Sequence, residues 1–433
     1  MLLALVLSVG GAACSSAAQP APGAEPGSAG NSGAQAGNGA AGAEQAGSGA
    51  TGLAGAGTTT GGAGGASEIA GSPGAFAGTG GSSTTPQGGA TGQAGAGVGG
   101  SGGAVPLSAN VLAIMKKVAD YQLGKWGATN PNGWVDAAGW TGILALYDVS
   151  HDTKYLDAAK AWATKNNWAL TGDASNADNQ CAAQVYFDLY LAEPSAANMN
   201  RVTGAKPAFD AMLAAKQAGW GWVDSLYMSP PGLARLYAVT KDAQYLPFLF
   251  EQWNKTKTTL YSATDGLWWR DPPPTVASGK PRDIFWSRGN GWVMAASVRV
   301  LQELPAAEPQ RSIFVDNLHA MAQALVPLQQ ADGTWHSDLL HPAAFPTPES
   351  SGSAFFTYAM AYGINTGLLD KGTYLPIVTK AWAGLQTCVQ PSGLFGFVQP
   401  PNWAPGPSTA TDASPYGVGA FLLAGSEVAK LVP

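Results

Sequence analysis

Two carboxylates stand where loop gives way to helix in aromatic or polar company: Asp178, in Asn176-Ala-Asp178-Asn179, and Asp224, in Trp220-Gly-Trp222-Val-Asp224-Ser-Leu-Tyr227. Paired carboxyls are the usual apparatus for acid/base work on a glycosidic centre. Asp is also among the best helix N-caps, and either residue taken alone reads equally well as one. The neighbours of Asp224 favour the acid. Trp220, Trp222 and Tyr227 are apolar walls of the kind that raise a carboxyl pKa toward the working range of a proton donor, and a cap needs none of them.

Other candidate groups fall in similar positions: Trp140; Arg288, with Trp286, Asn290 and Trp292, in Phe285-Trp286-Ser-Arg288-Gly-Asn290-Gly-Trp292; Ser351 in Glu349-Ser-Ser351-Gly-Ser; and Tyr416. His336, in Trp335-His336-Ser-Asp, reads as a loop polar residue or a substrate contact. Arg270-Asp271, after Trp268-Trp269, reads as a rim ion pair or a contact. Helix starts present unpaired N–H groups, and Arg288 adds a full positive charge, so an anionic ligand is favoured there. The Trp and Tyr faces suit the stacking of sugar rings. The expected partner is an acidic oligosaccharide.

No H-E-x-x-H, paired C-x-x-C, phosphate loop or G-x-S-x-G occurs, so nothing calls for a metal, a cofactor or a serine nucleophile. A net charge of −6 spread without long runs gives no footprint for nucleic acid.

These segments need a scaffold that gathers them. From residue 107 onward apolar residues recur at three and four, and alternating β-type runs are scarce. One series of helices is polar on one side: 108–124, 153–167, 196–217, 242–258, 309–330 and 371–388. The other, at 137–150, 178–192, 224–240, 290–304, 351–367 and 416–431, is small and apolar nearly all round, as buried helices are. Six outer and six inner helices in alternation form a repeated hairpin. Asp265-Gly-Leu-Trp, Asp332-Gly-Thr-Trp and Ser392-Gly-Leu-Phe recur after outer helices. The last helix looks as buried as the rest, whereas an open solenoid needs a polar end cap. The expected fold is therefore all-α, a closed (α/α)6 barrel at 105–433, with the polar and aromatic segments at the mouth where the inner helices begin.

The first 104 residues cannot join that core. Met1-Leu-Leu-Ala-Leu-Val-Leu-Ser-Val-Gly-Gly-Ala-Ala-Cys14 reads as an export signal, too short to span a bilayer. It resembles a bacterial lipoprotein signal, which makes Cys14 the lipidated residue; the plainer alternative is a secretory signal with an incidental cysteine. Residues 15–104 form a Gly/Ala/Ser/Thr tract of linker composition, a tether to the cell envelope. Any membrane association is expected through that anchor alone. Cys181 and Cys388 read as buried free thiols, with a mutual disulfide as the alternative.

Trp222-Val-Asp224-Ser-Leu-Tyr-Met, Phe285-Trp-Ser-Arg288-Gly-Asn-Gly-Trp292, Trp335-His336 and Glu349-Ser-Ser-Gly-Ser-Ala354, in that order, resemble the motifs of the unsaturated rhamnogalacturonyl hydrolases of glycoside hydrolase family 105, relatives of the family 88 unsaturated glucuronyl hydrolases. The resemblance implies an (α/α)6 barrel acting on oligosaccharides left by polysaccharide lyases, whose terminal uronic acid carries a C4=C5 double bond. It implies hydration of that enol ether, with Asp224 as the general acid/base and Asp178 orienting the uronic acid or tuning Asp224. It places Arg288 and Trp292 in the substrate pocket. Where many members carry Tyr-His after the Gly-Leu turn, this chain has Trp268-Trp269-Arg270. The other readings are a glucuronyl specificity on glycosaminoglycan-type fragments and a non-catalytic glycan-binding protein.

Overall fold

The computed structural model describes residues 107–126, 130–274, 278 and 281–431; the signal, Cys14 and the tract at 15–104 lie outside the described residues. Helices come in outer–inner pairs. They are α1 (Leu107–Trp126) and α2 (Trp134–Ser150); α3 (Thr153–Lys165) and α4 (Ala177–Ala192); α5 (Asn200–Thr203) with α6 (Lys206–Ala215), then α7 (Ser225–Met228) with α8 (Pro230–Thr240); α9 (Tyr245–Leu260) and α10 (Ser287–Leu301); α11 (Ser312–Leu325) and α12 (Ser350–Asn365); α13 (Lys371–Thr387) and α14 (Pro415–Leu431). The inner helices contact one another in a circle, α2 to α4, α4 to α7 and α8, these to α10, then α12, α14 and back to α2. This is a closed (α/α)6 barrel.

The sequence explains which helix goes where. Every residue of α10 is buried, and so is α12 from Ser350 to Ile364: small and apolar residues dominate both, and Arg288, Asn290 and Arg299 of α10 are paired within the protein. The ring closes through glycine. A Cβ on Gly142 of α2 would lie 2.6 Å from the Cα of Gly419 of α14, so only bare backbones fit this crossing.

Two expected helices are broken. The outer segment at 196–217 splits into a 3-10 turn at Ala196–Asn198, then α5 and α6. The inner segment at 224–240 breaks at Ser229, because Pro230 and Pro231 supply no N–H to continue α7. Asp224 is thus carried by a one-turn helix.

The recurring turns return the chain from outer to inner layer. Gly266, Gly333 and Gly393 each sit at positive φ after α9, α11 and α13, a conformation only glycine adopts without cost. The first of these turns joins β1 (Tyr261–Ser262) to β2 (Leu267–Trp268), an antiparallel pair. Cys181 and Cys388 are buried and free.

Candidate active site

The inner helices start at one mouth, and a pocket of about 260 Å³ opens there. Trp134 is the first residue of α2, Asp178 the second of α4, and Trp222 and Asp224 immediately precede α7. All four line the pocket, joined by Arg270 from the segment after β2.

Neither carboxylate is spent on capping. Asn176 caps α4, its side chain accepting from the Asp178 amide, and Asp224 makes no side-chain cap bond although it occupies the cap position of α7. Burial pushes Asp178 up to about 6; the charge of Asp224 adds to the rise and Arg270 opposes it. Burial also raises Asp224, against the pull of Arg270 and, more remotely, Arg288. Both carboxyls are thus held above their ordinary range in one pocket, and the charge of one raises the other.

Arg270 is the basic residue lining this pocket. Its Nε stands 3.4 Å from Asp224 Oδ2, yet neither atom is in a hydrogen bond, while Nη1 donates to Asp271 at 2.6 Å. The backbone fixes it: the Val223 amide donates to the Arg270 carbonyl at 2.9 Å. Asn290 brackets Trp268 two residues earlier, accepting from its amide at 2.8 Å and donating to its carbonyl at 3.0 Å. Asn290 therefore lies behind the pocket and holds the strand that presents Arg270.

Below the lining is an aromatic floor. Trp134 stacks on Tyr416 with centroids 5.4 Å apart, and Trp292 packs on Tyr227 at 4.6 Å and Phe355 at 4.5 Å. Trp292 and Tyr416 are fully buried. Arg288 is buried too. It donates from Nη1 to the Gln399 carbonyl at 2.6 Å and from Nη2 to the Pro400 carbonyl at 3.1 Å, with Trp286 on one face and Tyr416 on another. Trp286 Nε1 donates to Gln399 Oε1, the Tyr416 hydroxyl donates to the Gln399 carbonyl, and the Ser351 hydroxyl donates to Glu349. Arg288, Trp286, Ser351 and Tyr416 thus support a loop and do not line the pocket.

Trp140 lies elsewhere, stacked between Trp126 at 4.3 Å and Trp162 at 5.4 Å toward the outer layer. His336 is also off the pocket, 3.6 Å from Asp332, which raises its pKa. Trp220 is buried outside the lining. The loop that Arg288 supports brings Pro401, Asn402 and Trp403 into the lining, with Met228 from α7. Sequence reasoning missed these four residues. The signal for the loop was present, since Pro400-Pro401-Asn-Trp403-Ala-Pro405-Gly406 precedes an inner helix as the other mouth segments do.

A larger cavity of about 490 Å³ lies toward the opposite ends of the inner helices. There Asp188 is paired with both Arg235 and Arg299, the latter at 3.1 Å, so much of its charge is already matched. Among the described residues no group of three His, Cys, Asp or Glu is placed to hold a metal ion.

Residues 109–432 match the model of Glycosyl Hydrolase Family 88. The chain is 32% identical to an unsaturated 3S-rhamnoglycuronyl hydrolase of Formosa agariphila, over 70% of this chain and 86% of that one. A solved family 88 glycosyl hydrolase from Bacteroides vulgatus superposes with a TM-score of 0.69 at 32% identity, covering 74% of this chain and 99% of that one. A solved chain named a polysaccharide lyase matches with the same TM-score at 33% identity, covering 75% and 98%. The chain belongs to glycosyl hydrolase family 88, and it is a glycosidase.

Proposed function

We propose that the protein removes the unsaturated uronic acid from the non-reducing end of lyase-generated oligosaccharides, with an unsaturated uronyl–rhamnose unit as the preferred substrate. Asp224 gives its proton to C4 as the π pair of the enol ether takes it up, leaving positive charge shared between C5 and the ring oxygen. Water adds at C5 and returns a proton to Asp224. The resulting hemiketal opens to a ketone at C5, and the hemiacetal left at C1 expels the aglycone as an alcohol.

The observation that carries this reading is the pairing of two carboxyls raised by burial with one arginine in a pocket walled by indoles. The relative from Formosa agariphila is named for an unsaturated rhamnoglycuronyl substrate. Arg270 takes the substrate's carboxylate. In doing so it is drawn from Asp224, whose proton is then held more tightly while the double bond is in place. Asp178, in the same pocket, adds to the charge around Asp224 or orients the uronic acid. The protein is exported and anchored through a lipid on Cys14, with residues 15–104 as a tether.

The test mixes the purified protein with unsaturated rhamnogalacturonan and chondroitin disaccharides and follows the ultraviolet absorbance of the double bond. Loss of absorbance that Asp224→Asn slows by about 100-fold or more is the expected result. A parallel assay on intact polymer gives no rise in absorbance; a rise there without loss on the disaccharides marks a lyase, and binding without any change marks a glycan-binding protein, and either ends the proposal.

A further inference from the structure

We infer that Trp403 is the residue that reads the sugar attached to the unsaturated uronate, and so sets which oligosaccharide the enzyme accepts. This rests on the function proposed above. Its starting point is chemical. With C4 and C5 both trigonal, the unsaturated residues made from galacturonic and glucuronic acid are the same ring apart from the configuration at C1. A pocket that recognises only the double bond, the carboxylate and the ring hydroxyls cannot tell a pectin fragment from a glycosaminoglycan fragment. Selectivity comes from the direction in which C1 sends the next sugar and from the groups that meet it.

Arg270, Asp178 and Asp224 are the charged groups of the lining and are engaged by the uronate and its reaction. Trp403 differs in kind. It is 70% exposed, the most exposed large apolar side chain among the described residues, yet it lines the same pocket. Its ring makes no aromatic or cation–π contact among those residues. A single exposed apolar side chain is ordinary on a protein surface. What sets this one apart is the structure that holds it there.

The Trp403 loop is fastened at both feet. Gln399 donates from Nε2 to the Ala404 carbonyl at 2.8 Å, closing the tip that carries Trp403, and the Gly406 amide donates to Ser337 Oγ at 2.9 Å. Arg288 grips the carbonyls of Gln399 and Pro400, and the Gln399 amide donates to buried Glu349 at 3.3 Å. Pro400 and Pro401 stiffen the rise to the tip. A buried cation and a buried carboxylate thus position an indole that the protein itself does not cover. Its flat face suits the apolar C–H face of a pyranose, and a 6-deoxy sugar such as rhamnose, with a methyl group at C5, suits it better than an amino sugar bearing sulfate.

The test compares kcat/KM on the unsaturated uronyl–rhamnose disaccharide with kcat/KM on the methyl glycoside of the unsaturated uronic acid, which has no second ring. In Trp403→Ala the ratio of the two falls about tenfold, the size of one lost stacking contact, and Trp403→Phe recovers most of it. An unchanged ratio in Trp403→Ala overturns the inference, as does a ratio that Phe fails to restore. The variant's melting curve separates this from unfolding. If the native protein turns over neither compound, the function fails; the Trp403 assignment is then decided by calorimetric binding of the same two compounds, equal binding changes in Trp403→Ala overturning it.

Discussion

Arg270 and Asp224 face each other at 3.4 Å without hydrogen-bond geometry. A cation so placed lowers the carboxyl's pKa, and the buried site raises it. The proton donor is present below its folded pKa, so kcat/KM should fall as pH rises through the upper titration of the Asp178–Asp224 pair. Removing the cation moves that titration upward. In Arg270→Ala the alkaline limb of the kcat/KM profile therefore shifts to higher pH, while KM rises about tenfold or more through loss of a charged hydrogen bond of about 1.5–3 kcal/mol. A limb that stays put would show that the pair does not control the acid. Asp178, Asp224 and Trp222 were legible in the sequence because each stands at a loop-to-helix junction or beside one, and Arg270 because it follows the Trp268-Trp269 pair. Arg288, Ser351 and Tyr416 stand there too, and Trp140 one turn further into α2, yet all four point into support or packing. Position along a helix tells which end of the barrel a residue occupies; the side of the helix it faces depends on neighbours far away in the chain.

The hairpin was readable as a repeating element because buried and half-buried helices differ in composition all round, as α10 and α3 do. Its breaks needed finer reading, and Pro230-Pro231 was the sign of the one at Ser229 that leaves Asp224 on a single turn. The tightest seam between hairpins is that of α2 with α14, where Gly142 and Gly419 touch backbone to backbone. A methyl group there has no flexible side chain to displace. Gly142→Ala should cost at least about 1–3 kcal/mol of overpacking, measured by urea denaturation. Trp134 stacks on Tyr416 across this same seam, so activity should fall further than the loss of folded protein explains.

At the scale of the molecule, residues 107–431 complete the barrel, with α14 packed on α1, α2, α12 and α13. A protein begun at residue 105 should melt within a degree or so of the full chain and turn over the disaccharide at the same rate per molecule. A marked drop in either would mean that residues 1–104 contribute to the folded enzyme. The closed ring was legible from the apolar last helix, which would otherwise have needed a polar face. The way it closes bears on time as well as on shape. Gly142 and Gly419 stand near opposite ends of the described domain, so their contact is among the most costly in loop entropy. During synthesis five hairpins can be assembled while the pocket still lacks Tyr416 beneath Trp134. The acid pair therefore gains its full surroundings only after the last helix has been delivered.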